Sequence, residues 1–437
     1  MIEKFNFKTK LLMGFTLFSM FFGAGNLIFP PYLGAQAGSH TWTAFLGFAA
    51  SAVGLPVLGV VAVTLSGGLN ELASRVHKKF AFVYILVLYL AIGPCLAIPR
   101  TASTSFSIVL KPFMPEGISL GPIQLVYSLL FFTIAALVAM HPERLTEYLG
   151  KWLTPILLFL IVFIFVGTLM KPEGGAAVPS ESYLKMASVQ GFLDGYQTMD
   201  TLAALNFGII VAMNIQARGI KKEKSVMNET IWAGWIAGIV LLIVYAMLTF
   251  VGMNSGKNFP ETTNGTEVLM KMSEFLFGRM GMIILAASFL IACFNTCVGL
   301  FSCCGKYFNG IFPRISHKVW VWSFAAVSVV IANIGLNAIL NFSVPVLNAI
   351  YPLAILLIVL AFTHRLFKRF EYVYPCSAAF CGISSMLLVL EQQKLLFPGI
   401  SKFLRMIPGH AIGFGWLIPT LVGIVLGVVF SRKKGSI

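Results

Sequence analysis

Charged residues are scarce in this chain and are missing from long stretches of it. Only 11% of the 437 residues are Asp, Glu, Lys or Arg, whereas soluble domains carry about 25%. Runs without any such residue cover 11–70, 80–99, 117–140, 152–170, 230–256, 280–305, 319–363 and 372–390. A helix that crosses the hydrocarbon core of a bilayer needs about 20 apolar residues. The missing charge therefore excludes a soluble globular protein and predicts a polytopic α-helical protein surrounded by membrane lipid.

Acidic residues are the rarer charged class, with 16 Asp and Glu against 31 Lys and Arg. We predict twelve spans, at about 11–36, 42–66, 79–109, 122–141, 149–170, 190–217, 228–253, 279–306, 317–335, 341–363, 373–391 and 411–431. With the N-terminus inside, most of the Lys and Arg residues fall in cytoplasmic segments, as the positive-inside rule requires. Both termini are therefore predicted to be cytoplasmic, and the net charge of +15 indicates topology rather than a nucleic-acid partner.

The usual signatures of catalysis and cofactor binding are also missing. The sequence has no phosphate-binding loop, Ser-His-Asp arrangement or paired-carboxylate site, and its seven cysteines lack zinc-ligand spacing. An integral-membrane enzyme needs ionisable residues clustered at one membrane face, and a channel needs rings of charge or a repeated filter loop. Neither pattern occurs, so we predict a secondary transporter for a small solute with no cofactor and no enzymatic activity.

Two predicted spans contain residues that interrupt a helix. The first contains Phe22-Gly23-Ala24-Gly25-Asn26, followed by Pro30 and Pro31, and the sixth contains Gly191, Gly195 and the polar run 196–201. Freed backbone groups are tolerated at membrane depth only where they are buried in protein or line a cavity. Two interrupted helices in corresponding places of inverted halves indicate a transporter's binding site. We predict one transmembrane domain over 1–437, with inverted repeats at about 11–170 and 190–363 and extra helices at about 373–431.

The break at Gly23–Asn26 has a chemical consequence. It exposes carbonyl groups at the end of one half-helix and amide groups at the start of the next, with opposite partial charges. The amides suit a carboxylate and the carbonyls suit an ammonium group or a small cation, so the gap matches a zwitterionic amino acid. The alternative interpretation is a glycine pair that lets two helices pack closely.

Asp200 is the only carboxylate near the centre of a predicted span. Insertion of an Asp at that depth costs about 2.5–3.5 kcal/mol of free energy, so we expect this residue to have a specific polar role. Carrying a coupling proton, binding a cation, orienting the site backbone and contacting the substrate all fit. A helix cap that accepts amide hydrogen bonds is the structural alternative.

Polar residues in the third and eighth spans are further candidates. Asn295 and Thr296 offer oxygen atoms that suit Na⁺, with interhelical hydrogen bonding as the alternative. Arg100 follows Pro94 and Pro99, and counting up from Lys79 places it near the outer boundary, where its side chain reaches the interface. An ion pair of an outer gate is the second interpretation of Arg100.

Three stretches resemble the branched-chain amino acid–cation symporter family. They are FSMFFGAGNLIFPP at 18–31, GPCLAIPRTA at 93–102 and GYQTMDTLAA at 195–204. The resemblance covers essentially the whole chain. It implies a symporter of the bacterial cytoplasmic (inner) membrane that imports leucine, isoleucine and valine with Na⁺ or H⁺ by alternating access. It also implies a LeuT-like fold of five-plus-five inverted repeats, with broken helices 1 and 6 and two extra helices. A different small solute on the same fold is the alternative.

The resemblance also implies site residues. The Phe21 carbonyl and the Ala24 and Gly25 amides would hold the main chain of the amino acid, with Asn26 supporting the substrate or an adjacent ion. The substrate site implied in this way comprises Phe21, Gly23, Ala24, Gly25, Asn26, Tyr196, Thr198, Asp200, Thr201 and Phe294, with 90–94 beside the apolar side chain.

The cation site implied by the resemblance consists of Ser19, Phe22, Ala292, Asn295 and Thr296. The family usually has a Thr-Thr pair where this chain has Asn295-Thr296. An amide oxygen still coordinates Na⁺ but is bulkier than a hydroxyl group, so the amino-acid substrate is implied more strongly than sodium. Methionine is a further candidate for the apolar pocket. The sequence does not define the oligomeric state.

Overall fold

The chain folds into helices joined by short connections. The computed structural model describes residues 4–115, 117–141, 146–171 and 174–434, and all regular secondary structure in these ranges is helical. The α-helices are α1 (Phe7–Phe21), α2 (Ala24–Ala37), α3 (Thr41–Ala49), α4 (Leu55–Leu65), α5 (Leu69–Ser74), α6 (Lys78–Leu90), α7 (Ala97–Val109), α8 (Leu120–Ala139), α9 (Thr154–Met170), α10 (Glu181–Leu184), α11 (Ala187–Tyr196), α12 (Asp200–Ala217), α13 (Glu223–Ser255), α14 (Gly265–Ile311), α15 (His317–Ala332), α16 (Leu336–Phe362), α17 (His364–Phe367), α18 (Val373–Gln392), α19 (Pro398–Arg405) and α20 (Leu417–Lys434). π-Helical segments cover Ala50–Gly54, Ala91–Cys95 and Thr146–Leu153.

The long helices have the composition of membrane spans. Nine stretches of the described residues are long and apolar enough to cross a bilayer, and one of them, Ala24–Leu65, contains parts of the first two predicted spans. The predicted ninth and twelfth spans correspond to the shorter apolar helices His317–Ala332 and Leu417–Arg432. Large apolar side chains such as Leu129 and Phe159 point outward and are more than one-third exposed. Such a surface suits lipid rather than water.

Both predicted helix interruptions are present. The first lies between α1 and α2, where Phe22 and Gly23 have extended backbone. The second lies between α11 and α12, where Met199 adopts the left-handed conformation with φ of 66°. Pro30 and Pro31 do not end α2, which continues to Ala37. The break in the first span is therefore made by the two residues before α2 and not by the prolines.

Glycines bring the half-helices into backbone contact with their neighbours. Between α2 and α13, a Cβ atom at Gly34 would overlap the Thr249 carbonyl, and one at Gly252 would overlap the Pro31 carbonyl. A Cβ atom at Gly191 of α11 would likewise overlap the backbone of α3. These approaches hold each interrupted helix against a neighbouring helix, as small residues do at interfaces within membranes.

The chain forms two compact units. The first contains residues 1–60 and 90–340, including both helix interruptions. The second contains residues 61–89 and 341–437, and in it α18 packs on α20, with Gly423 against the backbone of Cys376. Within this second unit, Arg75 donates to the Tyr374 hydroxyl group at 3.4 Å. The inverted repeats proposed for 11–170 and 190–363 remain a prediction.

Candidate binding site

A small cavity of about 20 Å³ lies in the first unit, where residues from both helix interruptions meet. Its lining combines apolar side chains with a few polar ones, the usual character of a small-molecule site. The lining residues are Met20, Phe21, Gly23, Ala24, Asn26, Ile92, Ala97, Arg100, Thr101, Thr198, Met199, Asp200, Ala203, Thr296 and Leu300. The predicted residues Phe21, Gly23, Ala24, Asn26, Thr198 and Asp200 are thus brought together at one cavity.

Asp200 stands at the first turn of α12 and is 1% exposed. Its Oδ2 atom accepts hydrogen bonds from the Asn26 side-chain amide and from the Tyr245 hydroxyl group, each at 2.6 Å. The Asn26 amide also contacts the Tyr245 hydroxyl group. Met199, not Asp200, occupies the capping position of α12. The carboxylate therefore links three segments of the chain through side-chain hydrogen bonds, and its role in transport remains a prediction.

Asn26 also shapes the break in the first span. Its Oδ1 atom accepts from the Gly23 amide at 2.9 Å, so the side chain fastens the extended residue that precedes α2. On the facing segment, Thr198 donates to the Gly195 carbonyl at 2.9 Å and accepts from the Asp200 amide at 3.4 Å. Side chains thus form hydrogen bonds with some of the backbone groups that have no helical partner at the interruptions.

Arg100 is buried inside the protein. The residue is 4% exposed and lines the cavity, and its guanidinium group donates to the Gln197 carbonyl at 3.0 Å. A Cβ atom at Gly25 would lie 2.8 Å from the Arg100 Nη2 atom. The prediction that this side chain reaches the interface is wrong, because the guanidinium group is buried between α2 and the Gln197 carbonyl. The third span consists of α6, a π-helical turn with Gly93 in a non-helical conformation, and α7.

The predicted cation-site residues lie where the first span meets α14. Asn295 donates through Nδ2 to the Ser19 hydroxyl group at 2.6 Å, and a Cβ atom at Gly23 would lie 2.7 Å from the Thr296 Oγ1 atom. Within the described residues, the buried Asn295 Oδ1 and Thr296 Oγ1 atoms have no hydrogen-bond partner. Ala292 is completely buried in the same helix, and Phe22 stacks on Phe18. Two buried oxygen atoms without a hydrogen-bond partner are suitable ligands for a small hard cation.

Sequence comparison identifies the family. The model for "Branched-chain amino acid transport protein" matches residues 6–434. The branched-chain amino acid permease BraB of Bacillus subtilis is 38% identical over 433 residues, which are 98% of this chain and 96% of that relative. The chain belongs to the branched-chain amino acid transport protein family.

Solved structures show the fold of this family member. Mhp1, a nucleobase-cation-symport-1 family transporter in a closed conformation, matches with a TM-score of 0.56 and 14% identity over 96% of this chain and 93% of that chain. MhsT in complex with L-phenylalanine matches with a TM-score of 0.55 and 16% identity, over 96% of this chain and 98% of that chain. At these identities the likeness establishes the fold alone. The predicted LeuT-like fold, with interrupted first and sixth spans, is confirmed.

Some predicted residues of the transporter lie away from the cavity lining. The Phe294 ring packs edge-on against Phe131, with centroids 6.0 Å apart. Tyr196 packs against Phe192, and Thr201 donates to the Ser51 carbonyl at 3.4 Å. The Gly25 position borders Arg100 and the Gln197 carbonyl. Their proposed contact with a substrate remains a prediction.

Sequence reasoning missed several residues that this family member brings to the site. Tyr245 is fully buried in the middle of α13, and its hydroxyl group completes the Asp200 network. A single tyrosine within the uncharged run 230–256 was the available signal. No such signal marks the apolar lining residues Met20, Ala97, Ala203 and Leu300, because apolar side chains occur throughout every span.

Proposed function

We propose that this family member imports leucine, isoleucine and valine across the bacterial cytoplasmic membrane by symport with Na⁺. The transport mechanism is alternating access to a central site, and both termini lie in the cytoplasm. The supporting observation is the cavity in which two interrupted helices, the buried Asp200 carboxylate and apolar walls meet. Family membership and the name of the Bacillus subtilis permease support the substrate class. Methionine is included in the proposal because its flexible, unbranched thioether side chain adapts to an apolar pocket that accepts leucine.

The amino acid is proposed to bind with its polar end at the helix breaks. The Phe21 carbonyl faces the ammonium group, and the Ala24 and Gly25 amides at the start of α2 face the carboxylate, in agreement with the partial charges of helix ends. Asp200 contributes a negative charge to the lining of the same cavity. The apolar side chain then packs on Met20, Ile92 and Leu300, which line the same cavity.

Sodium is the proposed coupling ion because of the two unsatisfied oxygen atoms on α14. Na⁺ would meet Asn295 Oδ1 and Thr296 Oγ1 together with the Ser19, Phe22 and Ala292 carbonyls. These residues come from the first span and α14, so an ion bound between them stabilises one arrangement of the two segments. Such differential binding is what couples an ion gradient to a conformational change.

Proton coupling through Asp200 is the second candidate, favoured by the burial of that carboxylate. A buried acid that gains and loses a proton changes the charge inside a low-dielectric site, as in proton relays of other transporters. Asp200→Asn removes this ability while keeping the side-chain volume. Leucine accumulation driven by an imposed proton gradient should then disappear if Asp200 carries the proton, and should persist if it does not.

Uptake of radiolabelled leucine into proteoliposomes tests the proposed function, with Na⁺ and proton gradients imposed separately. We expect accumulation with an inward Na⁺ gradient and none with a proton gradient alone. Accumulation driven only by protons would replace Na⁺ by H⁺. If neither gradient drives uptake of leucine, isoleucine, valine or methionine, the substrate class is wrong and a different solute must be sought.

A further inference from the structure

Arg100 is a buried cation on the wall of the cavity that also contains the buried carboxylate Asp200. The two residues are 4% and 1% exposed, respectively. Ionisable residues inside a membrane protein are costly and usually serve the transported ligand. Because the guanidinium group remains protonated, the cavity keeps a permanent positive charge on the Arg100 side.

The position of Arg100 indicates which part of a ligand it would meet. Its Nη2 atom approaches Gly25, in the first turn of α2, since a Cβ atom there would lie at 2.8 Å. Its Nη1 atom donates to the Gln197 carbonyl at 3.0 Å, between α11 and α12. The guanidinium group therefore lies beside the amino end of α2, whose amides also carry partial positive charge. Both features attract an anionic group to the same side of the cavity.

We propose that Arg100 binds the carboxylate of the transported amino acid and makes the site selective for zwitterions over amines. This inference rests on the proposed amino-acid transport. A guanidinium group offers several N–H donors in one plane and matches a carboxylate better than an ammonium group does. Asp200 lines the same cavity, so the substrate brings one charge of each sign into a cavity that already has one of each. The bound state therefore adds no net charge to a poorly solvated site.

A purely structural role would be to hold the Gln197 carbonyl at the interruption of the sixth span. The two roles differ in one measurable ratio. A structural arginine supports every ligand of the cavity, so its loss weakens leucine and leucinamide equally. An arginine that binds the carboxylate strengthens the binding of leucine but not that of leucinamide. Leucinamide keeps the ammonium group and the side chain but has no anionic end.

Equilibrium binding of radiolabelled leucine to the purified full-length protein, with leucinamide as competitor, provides the test. We expect the wild type to prefer leucine by on the order of 100-fold, the scale of a buried charged contact. Arg100→Gln should lose most of the leucine affinity, and its preference for leucine should fall to about threefold or less. Arg100→Lys, which keeps the charge but not the planar donors, should lie between them. Arg279→Gln removes an exposed arginine from α14 and should leave the ratio unchanged.

The proposal is overturned if folded Arg100→Gln keeps the wild-type ratio, or if the wild type binds leucinamide as tightly as leucine. The second comparison needs no variant, so it can refute the proposal even if Arg100→Gln does not fold. A wild type that binds none of leucine, isoleucine and valine refutes the amino-acid assignment itself. That result is distinct from leucine binding with no discrimination against leucinamide, which refutes only the role of Arg100.

Discussion

Replacement of Gly23 by alanine tests whether the first span and α14 must touch at the proposed cation site. Gly23 has an extended backbone, with φ of −122° and ψ of −154°, which alanine can adopt. The added methyl group would lie 2.7 Å from the Thr296 Oγ1 atom and 2.9 Å from its Cβ atom. These separations are below van der Waals contact, so α14 must move away or the break must open.

Overpacking of this kind typically costs about 1–3 kcal/mol. If the cost falls on the arrangement that binds Na⁺, the affinity for Na⁺ decreases by about 5- to 150-fold. We expect Gly23→Ala to raise the Na⁺ concentration for half-maximal leucine uptake by a factor in this range, measured in proteoliposomes at fixed leucine concentration.

Gly208→Ala is the matched control, because a Cβ atom at Gly208 in α12 meets nothing within 4 Å. This variant should transport like the wild type and should unfold at the same or a higher temperature, since alanine favours a helix over glycine. Wild-type sodium dependence in Gly23→Ala would refute the reasoning. It would mean that the approach of Gly23 to Thr296 has no part in cation binding.

Three further variants probe separate contacts. Thr296→Val keeps the side-chain shape but removes Oγ1, so the Na⁺ affinity should fall on the order of tenfold in the same uptake assay; an unchanged sodium dependence would remove Thr296 from the ligand set. Tyr245→Phe removes a hydrogen bond to the Asp200 carboxylate, and should lower stability by about 1.5–3 kcal/mol in thermal unfolding, whereas a wild-type Tm would show that the bond contributes nothing net. Lys10→Met leaves Glu229, which is 3% exposed, without the partner that lies 3.5 Å away. Its Tm should fall clearly below that of Lys8→Met, which removes an exposed lysine from the same helix, and equal Tm values would contradict a stabilising ion pair.

The sequence determined the features that depend on local composition. Charge-free runs such as 230–256 predict membrane helices because the solvent, not the partner helix, imposes apolarity along the whole segment. The break before α2 was predictable because Gly23 and Asn26 stand together in a mid-membrane segment, where the backbone needs a local substitute for helical hydrogen bonds. As the only carboxylate near the centre of a predicted span, Asp200 was likewise predicted to belong to the site.

Only the tertiary structure decided which of these segments face one another. Asp200 pairs with Asn26, 174 residues away, and with Tyr245, 45 residues away, and no periodicity of the sequence specifies those pairings. Arg100 was misplaced because the Gln197 carbonyl, which is distant in sequence, gives the guanidinium group a buried partner. The apolar residues that line the cavity could not be recognised from the sequence. In a membrane protein both lipid-facing and core residues are apolar, so the sequence alone identifies the spans and the helix breaks, whereas the packing of helices determines the binding cavity.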